Sequence, residues 1–179
     1  ALKKQFDNYN KFATATMSEI FPPGKMKGAI RLQANTLQSC FIQNDGNGKF
    51  TMVPLPQAAQ ISALNGMVAD DFDGDGNLDV LINGNDYSTE VSIGRYDALN
   101  GLLLKGNGKG AFIPLSILQS GIYIPGNGKA LVKLPTAKEK YLVAASQFRD
   151  SLRIFELRRK TKTMPINPDD IYALIKFSN

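Results

Sequence analysis

Histidine is missing from this 179-residue sequence. Its absence removes Ser-His-Asp and Cys-His catalysis and the usual imidazole ligands of zinc, copper or iron. Cysteine is nearly as scarce. The single Cys40 can form neither an internal disulfide nor a cysteine metal cluster, and its setting in the apolar run LQSCFIQ reads as a buried, inert thiol rather than a nucleophile. No apolar run approaches the ~18 residues that a membrane-spanning helix requires, and the opening ALKKQFDNYNKF lacks the apolar middle of a signal peptide. The chain also begins without Met, so the expectation is a processed or excised piece of a longer protein.

What is present suits one folded domain: 43% of the residues are hydrophobic, an ordinary share for a globular core. The net charge of +5 raises the question of a polyanionic partner, but the excess is spread along the chain. Its densest stretch, RIFELRRKTKT (153–163), alternates with apolar residues like the solvated end of a strand, so nucleic acid is not an expected partner.

Residues 2–20 carry Leu2, Phe6, Tyr9, Phe12, Met17 and Ile20 at spacings of three to five with no Gly or Pro, which predicts an amphipathic helix ended by FPPGKMKG. From residue 29 the grammar changes to short β-branched and aromatic runs punctuated by Gly, Asn, Asp and Pro, as strands and turns require. The motif GNGK occurs three times, at 46–49, 106–109 and 126–129, and each occurrence is expected to be a hairpin turn. The flanks correspond as well. FIQNDGNGKFTMVPLP (41–56) matches LLLKGNGKGAFIPLS (102–116), and NLDVLING (77–84) falls opposite KYLVAASQ (140–147). The offset of about sixty residues belongs with blade-like repeats rather than helical solenoids. The expected organisation is an N-terminal helix and linker (1–28), two four-stranded units (29–100 and 101–158) and a C-terminal strand or tail (159–179).

The chemistry concentrates in VADDFDGDGNLDVLI. Asp71, Asp73, Asp75 and Asp79 occupy positions 1, 3, 5 and 9 of a loop, the carbonyl of Asn77 falls at position 7, and Gly74 and Gly76 allow tight winding. Carboxylates this close repel one another unless a cation neutralises them, and alternate oxygen ligands suit Ca²⁺. A solvated turn would not need four carboxylates in alternate register. An EF-hand would place Glu at position 12 in a following helix, but that position is Ile82 within a strand-like run, so the expectation is a strand-loop-strand site that Mg²⁺ fills poorly.

The same stretch resembles the calcium loop of FG-GAP/VCBS repeats, the blade units of integrin-type β-propellers and of many secreted bacterial proteins. The GNGK hairpins on either side resemble the hairpin recurring in those repeats, and GNDYSTEVSIGRYDALNGLLLKGNGKG looks like the closing blades of large bacterial VCBS-repeat proteins that carry an ASPIC/UnbV-type tail. The resemblance covers roughly residues 29–158 and lacks the Phe-Gly and Gly-Ala-Pro signatures. It implies calcium as cofactor, held by Asp71, Asp73, Asp75, Asn77 and Asp79, in an extracytoplasmic protein.

Elsewhere Tyr87, Arg95, Tyr96 and Asp97 could bind a sugar or peptide, against a structural reading in which Arg95 pairs with Asp97 and Tyr96 packs over a blade. Glu139, Asp169 and Asp170 are isolated acids with no partner for acid/base work. The sequence therefore predicts an all-β chain, a partial β-propeller-like row of antiparallel four-stranded blades with an N-terminal helix. It is expected to be non-catalytic and to bind a protein or glycan. The alternatives are a structural scaffold or part of a metal-dependent hydrolase. Too short for a full ring, it would complete its edges with further blades of a parent chain or by self-association.

Overall fold

Two caps interrupt the N-terminal amphipathic pattern. The Asn8 side chain accepts from the backbone N–H of Lys11 at 2.9 Å, and the Thr16 backbone N–H donates to the Glu19 carboxylate at 2.6 Å, so each starts a new helix. The computed structural model, which describes residues 2–136 and 141–156, accordingly shows three short helices here, α1 (Leu2–Gln5), α2 (Tyr9–Thr14) and α3 (Met17–Ile20), in place of the single expected helix. The bond from the Thr16 backbone, followed by that from its side chain, holds the Glu19 carboxyl below its ordinary value. None of the three buries a residue; Phe6 and Phe12 meet edge to face at 5.6 Å. These helices belong to a unit spanning Ala1–Leu37, distinct from the unit Gln38–Asn179.

The second unit is built from antiparallel sheets. Strands β1 (Cys40–Gly46) and β2 (Lys49–Pro54) form a hairpin. A four-stranded meander follows: β3 (Leu64–Asp70), β4 (Asp79–Gly84), β5 (Leu102–Gly106) and β6 (Phe112–Leu115). After the short helix α4 (Ile117–Ser120) come β7 (Gly128–Pro135), β8 (Tyr141–Gln147) and β9 (Arg153–Glu156), a three-stranded meander. The all-β expectation holds at this level. No closed ring of sheets is present among the described residues.

Two of the three GNGK motifs turn hairpins, between β1 and β2 and between β5 and β6. The third does not: Gly126 lies in a loop and Gly128 already opens β7. The four-stranded sheet runs from Leu64 to Leu115, across residue 100, where the repeat reading places a unit boundary. The repeat spacing persists in a different phase. Strands β1 and β5 begin at 40 and 102, β3 and β7 at 64 and 128, and β4 and β8 at 79 and 141. The tail IYALIKF and the acids Glu139, Asp169 and Asp170 lie outside the described residues.

Strands β4 and β5 carry continuous apolar runs because both faces of their sheet are covered. On one face Ile82 and Leu104 pack with Leu55, Ala59, Val80 and Phe112. On the other, Leu81 and Leu103 pack with Val143 of β8, Leu131 of β7 and Phe155 of β9. At ~25 cal/mol per Å² of apolar area removed from water, such two-sided burial is the main stabilising term.

Strands β3 and β7 approach so closely that Gly66 has no room for a side chain. A Cβ there would lie 2.6 Å from the Leu131 backbone nitrogen. Asparagines stitch the same seam. Asn65 Nδ2 donates to the carbonyls of Asn85 and Gly128, both at 2.8 Å, and Asn83 Nδ2 donates to that of Ala130 at 3.2 Å. Fully buried Asn85 donates to the carbonyls of Leu99 and Gly126 at 2.7 Å and accepts from the Leu99 N–H at 3.0 Å.

Candidate metal centre

The acidic loop joins β3 to β4, so both of its ends are fixed in one sheet, with Asp70 opposite Asp79 in the register. This is the strand-loop-strand arrangement expected from the sequence, and Ile82, the would-be twelfth position, is buried in β4.

Each carboxylate orders part of the loop. Asp79 is 1% exposed and accepts from the backbone N–H groups of Phe72 and Gly106, both at 2.9 Å, so it closes the loop and ties it to the end of β5. Asp71 accepts from Gly74 at 2.6 Å and from Gly76 at 3.1 Å, and both glycines have positive φ, 91° and 87°. Asp73 accepts from the N–H of Asp75 at 3.1 Å, and Asp75 from that of Asn77 at 2.8 Å.

This winding brings oxygens of Asp71, Asp73 and Asp79 within 4.8 Å of one another. Ligands on opposite sides of a Ca²⁺ bound at ~2.3–2.6 Å stand up to ~5 Å apart, so one ion can be shared by all three. Each carboxylate oxygen has more than one lone pair and can coordinate while accepting a backbone hydrogen bond. The donor set is all oxygen, as a hard cation requires. The residues present therefore fit a divalent metal.

Asp75, a further sequence-predicted carboxylate ligand, is not part of that cluster. Asp75 faces Lys105 of β5, whose ammonium pairs with Asp75 at 3.0 Å and also with Asp73. The Asn77 backbone hydrogen bond, followed by the Lys105 contact, holds the Asp75 carboxyl below its ordinary range, while Asp73 and then Asp75 raise the Lys105 ammonium. A second lysine, Lys133 of β7, pairs with Asp70 and sits 3.7 Å from the Tyr141 ring centroid. Sequence reading missed both lysines. A lone Lys within the apolar strand LLLKG was the available sign for Lys105, whereas Lys133 depends on a tertiary contact between β7 and β3.

The weaker candidates separate. The Arg95 guanidinium lies over the Tyr87 ring, 4.9 Å from its centroid, and is not ion-paired to Asp97. Stacking wins because the backbones of Asp86 and Tyr96 exchange two hydrogen bonds of 2.9 Å across the intervening loop. Tyr96 is half exposed and Asp97 exposed.

Comparison with known proteins adds no relative: no family model, curated protein or solved structure matches this chain. The fold and the loop define an all-β protein with a candidate metal-binding acidic turn.

Proposed function

We propose that this chain is a calcium-stabilised β-propeller-type repeat module, non-catalytic, that mediates protein or glycan interaction in an extracytoplasmic bacterial protein. The observation that carries this reading is the convergence of Asp71, Asp73 and Asp79 in a loop anchored at both ends in one sheet. Two further features support it: the recurrence of strand starts at about sixty residues, and the resemblance of VADDFDGDGNLDVLI to FG-GAP/VCBS calcium loops. In this reading β3–β6 is one blade, β7–β9 belongs to the next, and β1–β2 is the outer pair of the one before. Asp75 and the Asn77 carbonyl complete the coordination once calcium draws Asp75 away from Lys105. The ion's role is structural, since the loop ligands are used up in closing one sheet end.

The experiment is thermal melting in chelator and in excess Ca²⁺. Ligand at a hundredfold its dissociation constant adds about 2.7 kcal/mol to a native state that alone binds it. The expected result is a higher midpoint with Ca²⁺, a smaller shift with Mg²⁺, and no shift in Asp73→Ala; equal midpoints in chelator and Ca²⁺ sink the reading.

A scaffold role is the second reading, favoured by the exposed apolar face of the β1–β2 hairpin. Ile42 and Met52 stand opposite each other there with Phe50 beside them, all more than half exposed. That face suits another blade of a parent chain or a second copy. A metal-dependent hydrolase is the least supported alternative, and a broad hydrolase screen with Ca²⁺ tests it.

A further inference from the structure

A pocket of about 400 Å³ lies away from the acidic loop, lined by Tyr87 and Arg95 from the β4–β5 connection, Asn127 at the entry to β7, and Phe148, Arg149 and Asp150 from the β8–β9 turn. Its volume falls in the ~300–1,000 Å³ range of small-molecule sites. Asn127 is 1% exposed, and neither its Nδ2 nor its Oδ1 has a hydrogen-bond partner. A buried amide unpaired at both ends is costly; its two atoms are closed to solvent as they stand, so a ligand that both donates and accepts relieves it by drawing the side chain round into the pocket. Its backbone is fixed: the Asn127 carbonyl accepts from the N–H of Phe148 at 2.9 Å, locking the β8–β9 turn against it.

Two guanidiniums reach the same pocket, each held by a ring rather than by an acid. Arg95 lies over Tyr87 at 4.9 Å and Arg149 over Phe148 at 5.1 Å, and neither is in an ion pair among the described residues. Arg149 also adopts a left-handed backbone, φ 58°, a conformation that costs energy for a non-glycine residue and clusters at binding sites. Planar guanidinium forks match a carboxylate. The remaining polar groups ask for something else. The Asn127 amide suits a hydroxyl, which donates and accepts, and the Asp150 carboxylate takes hydroxyl hydrogens but repels a second anion.

We infer that this pocket binds an acidic saccharide of the uronate type, its carboxylate on Arg95 and Arg149 and its hydroxyls on Asn127 and Asp150. This deepens the interaction reading above and rests on it, but involves none of the metal ligands. The test is calorimetric titration of the full chain in Ca²⁺ with three probes: a galacturonate trimer, a neutral galactose trimer and a glutamate trimer. The galacturonate trimer binds, more weakly as salt rises, and the other two bind at least tenfold more weakly. Arg95→Ala, Arg149→Ala and Asn127→Leu each weaken binding at least tenfold, with melting temperatures and calcium shifts retained. If a truncation fails to fold, Arg95→Lys and Arg149→Lys keep the charge, lose the fork, and still weaken binding. No binding of galacturonate, equal binding of the neutral or peptide probe, or unchanged affinity in the folded variants overturns the inference. A preserved calcium shift in that case leaves the metal reading standing, and its absence removes both.

Discussion

Asp79 and Asp73 sit in the same loop and do different work. Asp79 is buried and accepts two backbone hydrogen bonds, so Asp79→Ala strands the N–H groups of Phe72 and Gly106. At about 1–3 kcal/mol for each buried donor left unsatisfied, that variant is strongly destabilised even in chelator. Asp73 is exposed, and its removal costs little until calcium is added. Urea melts of both variants, with and without Ca²⁺, separate the two roles; equal losses in chelator contradict this division. Lys105 supplies the opposite case. Its ammonium pairs with Asp73 and Asp75, and an incoming cation has to displace it. Lys105→Met is therefore expected to lower stability in chelator and to tighten calcium binding severalfold in a competition titration. Unchanged affinity would mean that the lysine does not compete.

Among the elements, the seam where β3 and β4 meet β7 depends on asparagines rather than on apolar contact alone. Asn85→Ala removes three hydrogen bonds, to Leu99 twice and to Gly126, and leaves their backbone groups buried. The expected loss is about 3 kcal/mol in denaturant unfolding, and a loss below about 1 kcal/mol would show that water replaces the amide. This seam was not legible in the sequence. NGND after an apolar strand reads as a turn, and nothing local marks Asn85 as buried. Strands β3, β4 and β5 were legible because their apolar runs are bounded by Gly, Asn and Asp. The loop was legible because acids at alternate positions repel one another unless a cation joins them. The N-terminal segment reads as one helix because apolar spacing ignores caps. Asn8 and Thr16 are visible there, but a polar residue inside a periodic run does not announce that its side chain will turn back on the backbone. The third GNGK fails as a hairpin because the segment before it, SGIYIP, forms no strand for the turn to join.

At the scale of the molecule, the hairpin β1–β2 leaves Ile42, Phe50 and Met52 to solvent on one face. A sheet face of this kind is covered in stable assemblies. Light scattering of the full chain is expected to show concentration-dependent self-association that Ile42→Lys and Met52→Lys together abolish; a strict monomer at every concentration would show that the face tolerates water. The Lys105 ammonium has a consequence at this scale too. In the calcium reading proposed above, a cation of the chain's own, already seated between Asp73 and Asp75, lets the strands close before any ion arrives, so folding and metal loading are expected to be separate events. In that reading the lysine is a placeholder: it holds the turn in shape where calcium is scarce, and its strength is expected to set the concentration at which the ion takes over.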